Sequence, residues 1–225
     1  MTTLLKKMAS LAALFFRPRK EDAIVVPAEP IPFRHLAWGL KVSDAFRVRV
    51  FEIARILDVE PDYLMACMAF ESAETFSPSV RNAAGSGATG LIQFMPPTAI
   101  GFFHSKAQIK AMTAVQRRQA GLNACLRLAA MTAEQQLEYV LQYFMPYQGR
   151  LTGLADVYMA ILWPAGIGKA DHWELWSLSS RPVTYRQNAG LDSNRDGRIT
   201  KAEASAKVQA ALARGRLPGF LWEQA

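Results

Sequence analysis

The sequence predicts a mainly helical fold, and three observations carry that prediction. Apolar residues recur at i, i+3, i+4 and i+7 in several separate stretches, the spacing that lines one face of an α-helix. Proline and glycine punctuate those stretches, with Pro61 opening one and Pro146 and Gly149 closing another. The 225 residues are 51% hydrophobic, enough to bury the core of one domain with appendages, and contain no apolar run of membrane length.

Residues 1–20 carry Lys6, Lys7, Arg17, Arg19 and Lys20 and no acid, around the apolar run from Met8 to Phe16. The run matches a signal-peptide core in length, but basic residues follow where small cleavage-site residues belong, so no cleavable signal is predicted. A basic segment for a membrane surface, a docking tail for a virion protein, and a disordered tail all fit it. These five bases supply most of the net charge of +7, and the rest of the chain is only mildly basic. No nucleic-acid module is visible. The prolines Pro27, Pro30 and Pro32 then read as an extended linker, so residues 1–35 form a tail and linker.

A helix follows with Phe46, Val50, Ile53 and Leu57 inward and Arg47, Arg49 and Arg55 on its wet side. The next, opened by Pro61, is the informative one. Leu64, Cys67, Met68 and Glu71 share a stripe, so Glu71 occupies a position where the periodicity calls for a hydrophobe. A carboxyl there is paired, solvated by a cleft, or raised in pKa by desolvation, and the last is what a general acid requires. A solvated helix-end carboxylate is the plain alternative. The segment Asn82–Gly90 suits tight turns and close backbone approach, as a loop lining a groove for an extended ligand requires. Gln93 then sits in an apolar run, where its amide needs backbone or sugar-hydroxyl partners. Cys67 reads as a core residue, and with Cys125 the only other cysteine, no disulfide framework is implied.

These residues resemble the catalytic segment of soluble lytic transglycosylases, lysozyme-like enzymes that cut the glycan of peptidoglycan. Glu71 and Ser72 stand ten residues after the helix-opening Pro61, as the family's acid-serine pair does. Its GAxGLxQxMPxTA signature reappears in Gly87, Ala88, Gly90, Leu91, Gln93, Met95, Pro96, Thr98 and Ala99. The resemblance implies that Glu71 acts as acid and then base, with Ser72, Gln93 and Met95 at the sugar groove. Two extra residues separate Glu71 from Phe76 and Pro78, which makes Glu74 a rival acid. If the helix continues through Glu74, the two carboxyls lie at i and i+3 and repel.

Residues 106–131 are helical with less regular periodicity, and Ala111–Gln116 resembles Ala130–Gln135 closely enough to suggest a local duplication or chance. Leu137, Val140, Leu141 and Phe144 mark a clearer helix, and Leu154, Val157, Tyr158, Ile161 and Leu162 another. It leads to Trp163, Pro164, Ala165 and Gly166, where the family has a Tyr-Asn-Ala-Gly turn. Trp163 can stack on a sugar, but an indole N–H only donates, so the tyrosine's role does not transfer. Trp163 is therefore a candidate sugar platform or a structural residue, and Tyr143 and Tyr158 are candidates to supply the missing hydroxyl.

The second informative stretch is Asp192–Glu203. Asp192, Asn194 and Asp196 at loop positions 1, 3 and 5, Gly197 at 6, the Arg198 carbonyl at 7, Thr200 at 9 and Glu203 at 12 reproduce an EF-hand calcium loop. The segment before it is a poor helix. A single hand with one good flanking helix points to a structural calcium ion rather than a sensor.

The expected organisation is a lysozyme-like, mainly α (α+β) transglycosylase domain over 36–180 and a calcium-loop segment over 181–225. The resemblance implies cleavage of the β-1,4 bond between N-acetylmuramic acid and N-acetylglucosamine with a 1,6-anhydromuramyl product. No cofactor is needed for that chemistry. A hydrolytic muramidase on the same fold, with Glu74 positioning water, and a non-catalytic glycan-binding phage structural protein are the alternatives. The pattern is most similar to phage and prophage enzymes, so a virion, an endolysin role or the bacterial envelope and periplasm are the expected settings. Glycan strands are the expected partner and a monomer the expected state.

Overall fold

The computed structural model describes residues 33–81 and 85–224. The readings made for the basic tail and most of the proline linker lie outside the described residues, as do Asn82, Ala83 and Ala84 of the glycine-rich loop. In chain order the elements are β1 (His35–Leu36), α1 (Asp44–Leu57), α2 (Pro61–Glu71), α3 (Pro96–Phe103), α4 (Lys106–Ala111), α5 (Ala114–Ala129), α6 (Ala133–Phe144), α7 (Leu154–Leu162), β2 (Glu174–Ser177), α8 (Pro182–Gln187), β3 (Arg198–Thr200), α9 (Lys201–Gly215) and β4 (Trp222–Glu223). Among the described residues the fold is mainly helical, with two small antiparallel sheets, β1 with β4 and β2 with β3. No helix among the described residues is long and apolar enough to cross a membrane. They form two compact units, Glu71–Pro146 and a second made of residues 33–70 with 147–224.

In the second unit α1 begins where the Ser43 hydroxyl accepts a bond from the Phe46 N–H, and it ends at Asp58, whose left-handed backbone turns the chain away. Phe46, Val50, Ile53 and Leu57 are buried as the periodicity requires, and Arg47 covers the outer side, donating to the Gly39 and Val42 carbonyls and lying over the Trp222 ring. Helix α2 is buried on nearly every face from Pro61 to Ala69, so its two apolar stripes belong to a core helix rather than an amphipathic one. Its first turn holds a buried acid, Asp62, which accepts from the Ala37 N–H at 2.8 Å and from Arg216 at 2.9 Å. Gly215 ends α9 against Trp38, where a Cβ would lie 2.3 Å from the indole, and Trp38 donates to the Ala211 carbonyl.

Helix α7 is similarly engulfed. Leu154, Val157 and Tyr158 are buried as expected, but Asp156, Met159 and Ala160 are buried too, while Ile161 and Leu162 are only half-buried. Asp156 is matched by the ammonium group of Lys201 at 2.5 Å, each side chain 5% exposed, and also accepts from Thr152 and the Gly168 N–H. Burial alone would raise the Asp156 pKa, but the bonds from Lys201, Thr152 and Gly168 outweigh it and lower the carboxyl below its usual value.

In the first unit the expected helix over 106–131 is two helices parted at Met112 and Thr113. Ala111–Gln116 and Ala130–Gln135 have the same local role. Thr113 with Gln116 opens α5 and Thr132 with Gln135 opens α6, each as a reciprocal capping box in which hydroxyl and amide satisfy two orphan N–H groups. Helices α3 and α5 pack closely because Gly121 has no side chain; a Cβ there would sit 2.6 Å from the Pro96 carbonyl oxygen. Leu91, Phe94, Ala99, Leu128, Leu137, Val140 and Phe144 form the core around them. Cys125 lies in it and donates to the Phe94 carbonyl, and burial pushes its thiol up to about 11, so it is an inert core group; Cys67, in the other unit, is a buried core residue outside any disulfide.

Candidate functional site

Glu71 is the last residue of α2. It is half-buried, and loss of solvent pushes its carboxyl from an ordinary value of 4.5 up to about 7. The helix does not continue to Glu74. Ala73, Glu74 and Phe76 all adopt left-handed backbone, which takes up the two residues that separate Glu71 from Phe76 and Pro78 beyond the expected spacing. The two carboxyls are therefore not an i, i+3 helical pair, and the repulsion expected from that geometry has no basis. Ser72 is fully buried; its hydroxyl accepts from the Phe76 N–H at 3.0 Å and its carbonyl from Thr75. That places Ser72 inside the turn, holding it closed, instead of at a surface that a glycan reaches.

Of the seven non-glycine residues with left-handed backbone among those described, four are Ala73, Glu74, Phe76 and Gln93. Such conformations cost energy and persist where the surroundings enforce them, commonly at functional sites. Gln93 sits in the turn between Thr89 and Phe94, which pair with each other, and its amide nitrogen donates to the Val80 and Gly90 carbonyls at 3.3 and 3.2 Å. Backbone carbonyls are thus the partners of the Gln93 NH₂ group. Met95 follows at the start of α3 and is 37% exposed.

A residue not singled out from sequence holds this turn in place. Gln136, on α6, is fully buried: its oxygen accepts from the Leu91 N–H at 2.7 Å, and its nitrogen donates to the Pro78 and Leu128 carbonyls at 3.1 and 2.9 Å. Gly90 has a left-handed backbone and lies against that amide, where a Cβ would come within 2.2 Å of its oxygen. The only signal in the sequence was a polar residue beside Leu137 on the apolar face of α6. A cavity of about 510 Å³ in this unit, walled by Phe103, His104, Gln116, Asn123 and Arg127, includes none of the predicted site residues.

Tyr143 is half-buried on α6, edge-on to Phe94. Glu71, Ser72, Glu74, Gln93, Met95 and Tyr143 all belong to the first unit. Tyr158 and Trp163 belong to the second. Tyr158 is buried and packs edge-on to Phe70, the residue before Glu71 in the chain, with ring centres 5.7 Å apart. Trp163 ends α7, half-buried, edge-to-face with Trp176 at 5.5 Å and under the Arg181 guanidinium at 5.0 Å.

The segment before the calcium-type loop forms a six-residue helix, α8, and a 3₁₀ turn over Ala189–Leu191, so the loop has a short entering element and a full exit helix, α9. Gly197 has a left-handed backbone, as the sharp turn at position 6 demands. The Asp192 carboxylate is 8% exposed. Its Oδ2 accepts from the Tyr185 hydroxyl at 2.6 Å and the Gly197 N–H at 3.0 Å, while its Oδ1 is buried without a hydrogen-bond partner. The Tyr185 hydroxyl, ahead of the backbone N–H groups, holds Asp192 below the usual carboxylate range against desolvation. Asp196 accepts from the Arg198 N–H, and Asn194 from the Asp196 N–H. Glu203 caps α9 through the Thr200 N–H and hydroxyl, its other oxygen accepting from Ser193. Among the described residues no three His, Cys, Asp or Glu side chains converge as a preformed metal cluster. The Asp192 Oδ1, buried without a donor, nevertheless fits a hard cation at position 1, which would supply the partner it lacks.

No protein-family model matches this chain, and no curated protein matches it either.

Proposed function

We propose that this chain is a peptidoglycan lytic transglycosylase of lysozyme-like fold, with Glu71 as its single acid and base. The observation that carries the reading is a carboxyl at the end of a buried helix, desolvated enough to keep its proton near neutrality. Strained backbone immediately after Glu71 and at Gln93, the two places where the sequence resembles the family's motifs, supports it. By that resemblance Glu71 gives its proton to the glycosidic oxygen as the bond from C1 of N-acetylmuramic acid breaks. The resulting carboxylate then takes the proton of the 6-hydroxyl, whose oxygen closes on C1 to give the 1,6-anhydro ring, and the acid is restored. Gln93 and Met95 are the proposed groove residues, Trp163 a sugar platform, and Tyr143 and Tyr158 the candidate hydroxyls.

The proposed calcium ligands are Asp192, Asn194, Asp196, the Arg198 carbonyl, Thr200 and Glu203. Bound there, calcium supplies positive charge that ties the loop carboxylates together and takes no part in bond cleavage.

Mass analysis of fragments released from purified peptidoglycan by the intact protein and by Glu71→Gln tests the reading. Anhydromuramyl ends that disappear in the variant support it. Reducing ends would make the enzyme a hydrolase, and no fragments from either protein would leave a glycan-binding protein that does not cut.

A further inference from the structure

Strand β3 is positions 7 to 9 of the calcium-type loop, and the strand it pairs with, β2, lies in the segment that follows the Trp163 turn. Glu174 faces Thr200, Trp176 faces Ile199 and Ser177 faces Arg198. The pairing extends at both ends: the Leu178 N–H donates to the Gly197 carbonyl, Lys201 to that of Trp173 and Ala202 to that of Asp171, at 2.9–3.0 Å. Glu174 and Arg198 add an ion pair at 3.1 Å. In paired EF-hands a second loop occupies the edge of this strand; here β2 does.

What β2 carries is a buried indole pressed on Trp163. Trp176 is 1% exposed and its N–H has no acceptor, so packing, with Trp163 edge-to-face at 5.5 Å, sets its orientation rather than a hydrogen bond. The Arg181 guanidinium, at the start of α8, the helix leading into the loop, lies 5.0 Å from the Trp163 ring centre. Lys201, loop position 10, reaches both flanks of the turn. It donates to Asp156 on α7 and to the Lys169 carbonyl at 2.8 Å, and Asp156 in turn accepts from Gly168. The loop therefore holds the chain before and after Trp163 through Lys201, and meets the indole itself through Trp176 on the strand paired with it.

We propose that the Asp192–Glu203 loop, when it holds calcium, positions the Trp163 indole, with Trp176, Arg181 and the Lys201–Asp156 pair as the links. Calcium would then govern the sugar platform from a site that never touches sugar. This rests on reading the loop as a calcium site and Trp163 as a platform. Trp176 is a positioning residue.

The test uses the full chain with all five tryptophans replaced by 5-fluorotryptophan, followed by fluorine NMR as calcium chloride is added to chelator-stripped protein. Phe substituted one at a time for Trp38, Trp163, Trp176 and Trp222 identifies the four resonances. A parallel melt reports whether calcium binds. The expected result is that the Trp176 and Trp163 resonances both move, Trp38 and Trp222 stay, and Asp192→Asn abolishes the movement. A rise in melting midpoint with a stationary Trp163 resonance would overturn the proposal while leaving calcium binding intact. No change in midpoint or spectrum would overturn the calcium reading and this proposal with it. Neither result bears on Glu71, which the fragment analysis tests separately.

Discussion

Replacing Glu71 by Gln keeps the side chain's shape and removes its ionisation, which isolates the cost of holding that carboxylate in place. Its folded pKa of about 7 lies above the ordinary value of 4.5. At low pH the group is protonated in both states and its ionisation costs nothing. As pH rises past the ordinary value the unfolded chain ionises freely while the folded one resists, so stability falls until the folded group also ionises near 7. Beyond that the loss is constant, at about 3 kcal/mol. Between about pH 5 and about pH 8 the wild type should therefore lose about 2.5 kcal/mol that the variant keeps. For a chain of this size that corresponds to a melting-temperature difference widening by roughly 5–10 °C. Thermal melts of both proteins at the two pH values measure it, and comparing the pair cancels every other titrating group. A difference that is the same at both pH values would show that Glu71 titrates like a solvated carboxyl, and the general-acid reasoning would fail with it.

Glycan cleavage by the wild type should decline as pH rises through about 7, because the protonated acid is depleted; fragment release across a pH series measures the slope, and a rate that keeps climbing past this value contradicts the assignment. Gln136→Leu should destabilise by about 2–4 kcal/mol, since the Leu91 N–H and the Pro78 and Leu128 carbonyls lose their partner inside the fold; denaturant unfolding checks this, and a loss under half that would mean the amide is dispensable. Asp156→Ala should cost about 3–5 kcal/mol, because it strands the Lys201 ammonium away from water, whereas Asp156→Ala with Lys201→Met should recover part of that in the same assay. With calcium at about one hundred times its dissociation constant, the midpoint should rise by the equivalent of about 3 kcal/mol over chelated protein; equal midpoints would exclude the site.

Much of the helical framework is legible in the chain because the periodicity that makes it fold is local. Phe46, Val50, Ile53 and Leu57 announce α1, and Leu137, Val140, Leu141 and Phe144 announce α6. Where a helix is buried on every side the pattern blurs, and on α2 and α7 the acids Asp62 and Asp156 gave no sign that Arg216 and Lys201, 154 and 45 residues away, would meet them. Glu71 was visible as a carboxyl out of place on an apolar stripe. The turn after it was not, because left-handed backbone at Ala73, Glu74 and Phe76 is imposed by surroundings and has no residue signature apart from glycine. Gln136 escaped for a related reason: an amide that binds three distant backbone groups looks, in sequence, like any polar residue on a helix. The repeated Ala-Met-Thr-Ala stretches were conspicuous, and the structure shows that both carry the Thr and Gln of a helix capping box.

The pairing of β1 with β4 orders events during synthesis. Leu36 and Trp38 emerge from the ribosome well before the strand that pairs with β1 and the helix end that covers Trp38. At ordinary translation rates the wait is on the order of ten to forty seconds. Until then β1 is unpaired, with Leu36 and Trp38 uncovered, an edge that chaperones, or neighbouring copies of the chain, have time to find.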